Sequence, residues 1–244
     1  MGETKPTRRP QSKGQCVYCG AVYARAGMSK HLPTCPKRLA AIERADQQSK
    51  SKPKRWFHLL VADAYGPDYW LHLEMDAAKK LADLDQFLRD IWLECCGHLS
   101  RFTIAGQGYS IYPMEDFDER NLAVTLDKVL KPGLEFQHEY DYGTTTELTL
   151  KVIGERQGAA LEKRWLNILA RNNPPEYLCG YCHQKPATLI CSYCSWGSAE
   201  ALVCEDCKGK HSCYIEEGDD YMFLPLVNSP RTGMCGYSGS ELYP

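Results

Sequence analysis

Cys16, Cys19, His31 and Cys35 stand in the order C-x2-C-x11-H-x3-C. Two thiols on a tight knuckle, and a His and a Cys one helical turn apart, are the donor types and spacing that close a tetrahedron around zinc. The gap before His31 is one residue short of the usual finger spacing, and the last donor is Cys. Tyr23, four residues after Cys19, and Met28, three before His31, fall where small fingers keep their apolar residues. So short a module has little core, and bound metal supplies much of its folding energy.

A second cluster is denser. Cys179, Cys182, Cys191, Cys194, Cys204, Cys207, His211 and Cys213 follow C-x2-C-x8-C-x2-C-x9-C-x2-C-x3-H-x-C. Eight donors suit two ions, so three zinc ions are expected for the chain. An interleaved pairing joins Cys179, Cys182, Cys204 and Cys207, leaving Cys191, Cys194, His211 and Cys213 as the second set. A sequential pairing joins the first four and the last four. The interleaved form is preferred and resembles B-box- and MYND-type modules, which mostly bind proteins. His183 and Cys235 are read as bystanders, either of which substitutes if Cys213 is not a ligand.

Other candidate chemistry is sparse. Cys95-Cys96-Gly97-His98 offers a thiol beside a base, but it reads better as a helix end, with Cys95 continuing a buried stripe. Asp141 reads as a residue fixing a strand-ending turn. Asp85 and Arg89 read as a surface pair one helical turn apart. No P-loop, G-x-G-x-x-G or H-E-x-x-H is present, and no catalytic residue is assigned.

The chain has 244 residues, 13 cysteines and a net charge of −2. An odd count with four C-x2-C pairs argues for metal rather than a disulfide framework. No apolar run reaches the ~18 residues of a membrane span, and Met1 to Lys13 lacks the apolar stretch of a signal peptide. A cytoplasmic location is expected. Charge is uneven: residues 1–55 hold 13 Lys or Arg against 3 Asp or Glu, a net of +10, and the remainder carries −12. A basic arm ahead of an acidic body attracts polyanions. Arg25, Lys30, Lys50, Lys52, Lys54 and Arg55 are the candidate nucleic-acid contacts.

The elements that position these groups follow from pattern. Residues 1–13 read as a disordered basic arm, 14–37 as the finger and 38–54 as a basic linker with a helical stretch at Leu39 to Ala45. Residues 55–157 read as an α+β domain and 158–175 as a connecting amphipathic helix. The two-zinc cross-brace module covers 176–215, and 216–244 is a tail packing on the body. Within the domain, Trp56 to Ala62 and Tyr69 to Met75 are expected strands around Gly66-Pro67-Asp68. Asp76 is the expected N-cap of a helix whose buried stripe is Leu81, Leu84, Leu88, Ile91 and Cys95. Hairpins are expected over 102–112 and 134–153. This order suits a β-grasp-like mixed sheet with one main helix. Trp70, His72, Trp92, His98, Tyr140 and Asp141 are candidate binding residues, mixing aromatic and polar groups as ligand sites do.

The stretches LADLDQFLRDIWLECCGHLSRF, TLDKVLKPGLEFQHEYDYGTTTEL and PLVNSPRTGMCGYSG resemble the plasmid pRiA open-reading-frame-three-like family, in a longer variant with flanking zinc modules. The likeness covers roughly residues 55–155 and the tail. It implies an α+β fold and a bacterial or archaeal source, with no activity attached. Where that family ends its motif with Asp, Trp and His, Thr144, Thr146 and Leu148 stand here, so no role of those residues carries over. The expected function is a zinc-containing, non-enzymatic binding or adaptor protein of mobile-element or plasmid type. Its partner would be a protein, or a nucleic acid held through residues 1–55, with no membrane involved. The alternative is an enzyme acting on nucleic acid or a small ligand at the central domain.

Overall fold

A computed structural model describes residues 11–114, 118–194, 197–218 and 221–243. Most of the expected basic arm, residues 1–10, lies outside the described residues. The chain runs through β1 (Lys13–Cys16), β2 (Val22–Ala24), α1 (Arg25–His31), α2 (Pro36–Gln48), β3 (Lys54–Asp63), β4 (Trp70–Asp76) and α3 (Leu81–Leu88). It continues through β5 (Ser100–Ile104), β6 (Gln107–Ser110), β7 (Arg120–Asn121), α4 (Leu126–Val129), β8 (Glu135–Tyr140), β9 (Thr146–Gly158) and β10 (Leu166–Asn172). The last elements are β11 (Leu189–Cys191), β12 (Leu202–Val203), α5 (Ser212–Glu217) and β13 (Phe223–Pro225). Among the described residues no helix is long and apolar enough to cross a membrane.

The fold is α+β, dominated by one mixed ten-stranded sheet in the order β2-β1-β10-β4-β3-β9-β8-β5-β6-β7. Every described pairing in it is antiparallel except β6–β7. Alternation decides what each face meets. Phe57, Leu59, Val61, Leu71, Leu73, Leu148 and Leu150 point to one side, where Leu81, Leu84, Leu88, Ile91 and Trp92 close the main core. Trp70 and Ala62 point to the other, against Met28, Leu32, Leu169 and Ala170. All seven residues of β4 are therefore buried.

Several expectations are corrected here. The segment 158–175 is not a connecting helix: Leu166–Asn172 is strand β10, held between β4 and β1. Its Leu, Ala, Lys and Arg content favours helix, but ladder bonding on both edges overrides propensity. A bulge between Ile168 and Ala170 sends Leu166 and Ile168 to the main core and Leu169 and Ala170 to the opposite face. The helix expected at Leu39 to Ala45 in the linker is present but longer, as α2, and Arg38 on it is buried against Glu74 at 2.7 Å. The arm's last residue, Lys13, belongs to β1. Asp76 ends β4 instead of capping α3, which starts at Leu81 with Asp83 accepting the Lys80 N–H. Asp85 and Arg89 are not a surface pair. They bond at 2.7 Å with side chains only 5% and 12% exposed, and Asp85 also accepts from Ser100 and His138 at 2.7 Å each.

Candidate metal centres

The finger tetrad is assembled by local turns. Gly20 takes the left-handed conformation, φ +76°, and its N–H reaches the Cys16 carbonyl at 2.9 Å, which folds the C-x2-C knuckle. Helix α1 carries His31 at its end, and a single 3-10 turn over Leu32–Thr34 delivers Cys35. Cys16 Sγ lies 3.9 Å from Cys35 Sγ, and Cys19 Sγ lies 3.2 Å from His31 Nε2. Met28 and Leu32 are fully buried behind the tetrad. Tyr23 is 38% exposed and lays its ring 4.8 Å from that of His31, so it shields the ligand rather than filling the core.

The C-terminal cysteines gather in the interleaved arrangement. Cys179, Cys182, Cys204 and Cys207 form one set and Cys191, Cys194, His211 and Cys213 the other, with all donor atoms of a set within 4.8 Å of one another. A three-stranded sheet, β12-β11-β13, underlies them. His183 is no donor in either set. It has φ +52° and donates its N–H to the Cys179 carbonyl, the same knuckle turn that Gly20 makes in the finger. His211 turns Nε2 toward Cys194 Sγ at 3.4 Å and Nδ1 toward the Tyr181 hydroxyl at 3.0 Å. An outer partner of that kind fixes which nitrogen faces the metal.

A fourth set was not expected. Cys95, Cys96, His98 and Cys235 bring their donor atoms within the same 4.8 Å limit. This corrects both the reading of Cys95–His98 as a mere helix end and the reading of Cys235 as a bystander. It also replaces the expected three ions with four metal-competent groups. Three sets combine three cysteines with one histidine, one set is all cysteine, and together they use all thirteen cysteines. That closure accounts for the odd count, and it was the sequence signal for the fourth set.

The separations themselves carry chemistry. Donors at tetrahedral zinc distances stand about 3.8 Å apart for two sulfurs and about 3.5 Å for sulfur and nitrogen. Cys194–Cys213 at 3.6 Å, Cys182–Cys204 at 4.0 Å, Cys96–Cys235 at 3.7 Å and His98–Cys235 at 3.3 Å lie near those values, while Cys19–His31 at 3.2 Å and Cys96–His98 at 2.9 Å are shorter. They are far from the ~2.05 Å of a disulfide. The thiols also oppose one another. Burial raises Cys16, while the Ala21 N–H lowers Cys19. Burial works against Cys179, but the N–H groups of Cys182, Cys204 and Tyr181 outweigh it and bring that thiol to about 6. Burial and the neighbouring thiols push Cys207 up to about 12. Cys96 reaches about 12 through its bonds to Cys95 and Cys235. A set in which one sulfur ionises and its neighbour resists becomes fully anionic only around a cation.

The six candidate binding residues are not brought together. Trp70 is fully buried, with its indole N–H 2.8 Å from Ser12 Oγ, and His72 is buried 2.9 Å from His58. Trp92 is buried in the main core. His98, Tyr140 and Asp141 do meet beside the fourth set: His98 Nε2 lies 3.5 Å from Asp141 Oδ2, and its ring stands edge-on 5.7 Å from Tyr140. Of the candidate nucleic-acid contacts, Lys54 pairs with Asp76 at 2.6 Å and Arg55 with Glu155 at 2.5 Å. Arg25 borders a cavity of about 610 Å³ beside the turn at 63–67, and Lys50, Lys52 and Lys54 border another of about 570 Å³. Lys30 ends α1 beside His31. A third cavity of about 400 Å³ lies between that turn, Tyr177 and Met234. The linings on the two sides of the turn contain no Cys, Ser or His but do hold Asp63, Glu135, Thr149, Lys151, Thr146 and Glu147.

No family model matches the chain, and no curated protein matches it. Among solved structures, a protein of unknown function from Methanosarcina mazei Go1 aligns at a TM-score of 0.40 and 14% identity, covering 48% of this chain and 67% of that one.

Proposed function

We propose that this chain is a zinc-braced, non-enzymatic binding or adaptor protein whose principal partner is a protein. The observation that carries it is the number of protein donors: each set offers four. Four protein donors make a closed structural site, whereas catalytic zinc keeps one position for water or substrate. The reading of a mobile-element or plasmid protein rests on the resemblance of residues 81–102, 125–148 and 225–239. The cytoplasmic reading rests on the four C-x2-C pairs and odd cysteine count, which suit metal in a reducing compartment better than disulfides. The β-grasp-like reading of the body rests on the β3–β4 hairpin followed by one main helix, α3, against the sheet.

Exchange of the metal tests the bracing role. Cadmium or cobalt in place of zinc should leave fold and partner binding intact, because a brace needs only geometry; binding that survives with zinc alone would contradict it. Nucleic acid is the weaker partner reading, since Lys54 and Arg55 already carry acidic partners. Binding of duplex DNA or RNA should be weak, indifferent to sequence and lost as salt rises. Sequence-selective binding that persists at moderate salt would reverse that order. The enzyme alternative has one observation behind it: the exposed Cys96 thiol, 2.9 Å from His98 Nε2. Selective, rapid alkylation of Cys96 in metal-loaded protein would favour it.

A further inference from the structure

We propose that Cys95, Cys96, His98 and Cys235 hold a fourth ion of the zinc class, that this ion fastens the C-terminal strap, residues 226–243, to the central sheet, and that it is the most easily removed of the four. The idea shares its donor chemistry with the zinc reading of the other three sets, and its test separates the two.

The donors converge from two distant parts of the chain. Three follow the π-helical turn Arg89–Leu93, and Gly97, at φ +79°, reverses the backbone so that Cys96 Sγ and His98 Nε2 meet at 2.9 Å. The fourth arrives 137 residues after His98 and completes the set at 3.3 Å from His98 and 3.7 Å from Cys96. Cys235 has φ +47°, between Gly233 at +81° and Gly236 at +70°. A left-handed Cys is strained and persists only where its surroundings hold it. A bound ion supplies that hold.

The surroundings fit a charged centre. Three thiolates around a divalent ion leave a net negative charge. Arg231, fully buried, answers it by donating to Cys95 Sγ at 3.5 Å and to Asp141 Oδ2 at 2.6 Å. The same guanidinium donates to the Thr144 carbonyl and to Thr146 Oγ1, and it lies 4.8 Å over the Tyr140 ring. Ser229 adds a bond to the Trp92 carbonyl at 2.7 Å. The strap is thus tied to the loop that offers the other three donors, and an ion at Cys235 would clamp the same contact.

Exposure sets the fourth centre apart. Each of the other sets contains at least two buried donors, whereas here none is buried and Cys96 and Cys235 are exposed. Water and chelators reach this ion directly, so it exchanges first.

Native mass spectrometry of the full chain, purified without added metal, tests the proposal. Wild type should carry four ions, and both Cys235→Ser and Cys96→Ala should carry three. A chelator should remove one ion from wild type at least about tenfold faster than the rest, and the variants should lack that fast phase. Hydrogen exchange should show residues 226–243 losing protection in step with it. Three ions in wild type and variants alike would overturn the fourth site while leaving the other three standing. A wild-type mass two hydrogens light, showing a Cys96–Cys235 disulfide, would overturn it as well. No bound metal at all would remove the zinc reading of all four sets.

Discussion

The finger and the C-terminal module use the same donors but meet the body differently. Strand β1 of the finger pairs with β10, so the finger extends the ten-stranded sheet. Its tetrad sits on an apolar cluster shared with the body, in which Met28 and Leu32 pack against Trp70, Leu169 and Ala170. A Cβ at Gly14 would run into the Arg171 carbonyl and the Trp70 ring, which shows how closely β1 is seated. The C-terminal module has its own small sheet, and around its first donor set the buried cluster is Cys179, Cys204 and Cys207 themselves, flanked by Tyr181. In the finger the donors sit on a core shared with the body; in the module they sit among a few buried side chains of its own, Ile190, Val203 and Met222. Spacing alone says nothing of this difference.

The largest expected effect tests that contrast directly. Cys204→Ser opens one site of the module and should abolish protection across residues 177–218 in hydrogen exchange, since a structural zinc contributes on the order of 10 kcal/mol. Cys16→Ser should free the finger's ion yet leave β1 and β10 protected. Equal collapse in both variants would erase the distinction. Next is Leu32→Ala, which removes a fully buried side chain from the finger's shared cluster. It should cost about 2–5 kcal/mol in chemical denaturation without changing the metal count.

Acid should reveal the face on which the finger sits. Burial drives His58 well below the usual histidine range and His72 down to about 4. Both stay neutral in the fold, whereas the unfolded chain takes up protons near 6.5. Stability therefore falls as pH drops from about 6.5 toward 4, by on the order of 3 kcal/mol for His72. His72→Asn should flatten that slope relative to wild type, with thiolate protonation common to both proteins. An unchanged slope would show that His72 is protonated in the fold. The smallest effect is expected for Arg38→Met. Glu74 keeps its second partner, Arg156 at 2.7 Å, so the loss should be about 2 kcal/mol, below the usual cost of orphaning a buried charge.

Residues whose chemistry depends on neighbours in sequence were legible. The knuckles, His31, His211 and the β3–β4 hairpin all follow from spacing within about ten residues. What escaped depends on distant segments. Cys235 joins donors in residues 95–98, and C-C-x-H resembles no C-x2-C knuckle, so only the three cysteines left over from the other sets, Cys95, Cys96 and Cys235, hinted at it. Strand β10 reads as helix until β1 and β4 are placed on either side of it. Asp85 and Arg89 look like a solvent pair until Ser100 and His138 arrive from β5 and β8.

The most direct measurement counts metal and thiols together. Protein purified under reducing conditions without added metal is analysed for its elements, then unfolded with chelator and titrated with a thiol reagent. Four zinc-class ions and thirteen reactive thiols per chain is the expected result. Metal near zero, with the cysteines paired as disulfides, would contradict the claim that these clusters are metal centres.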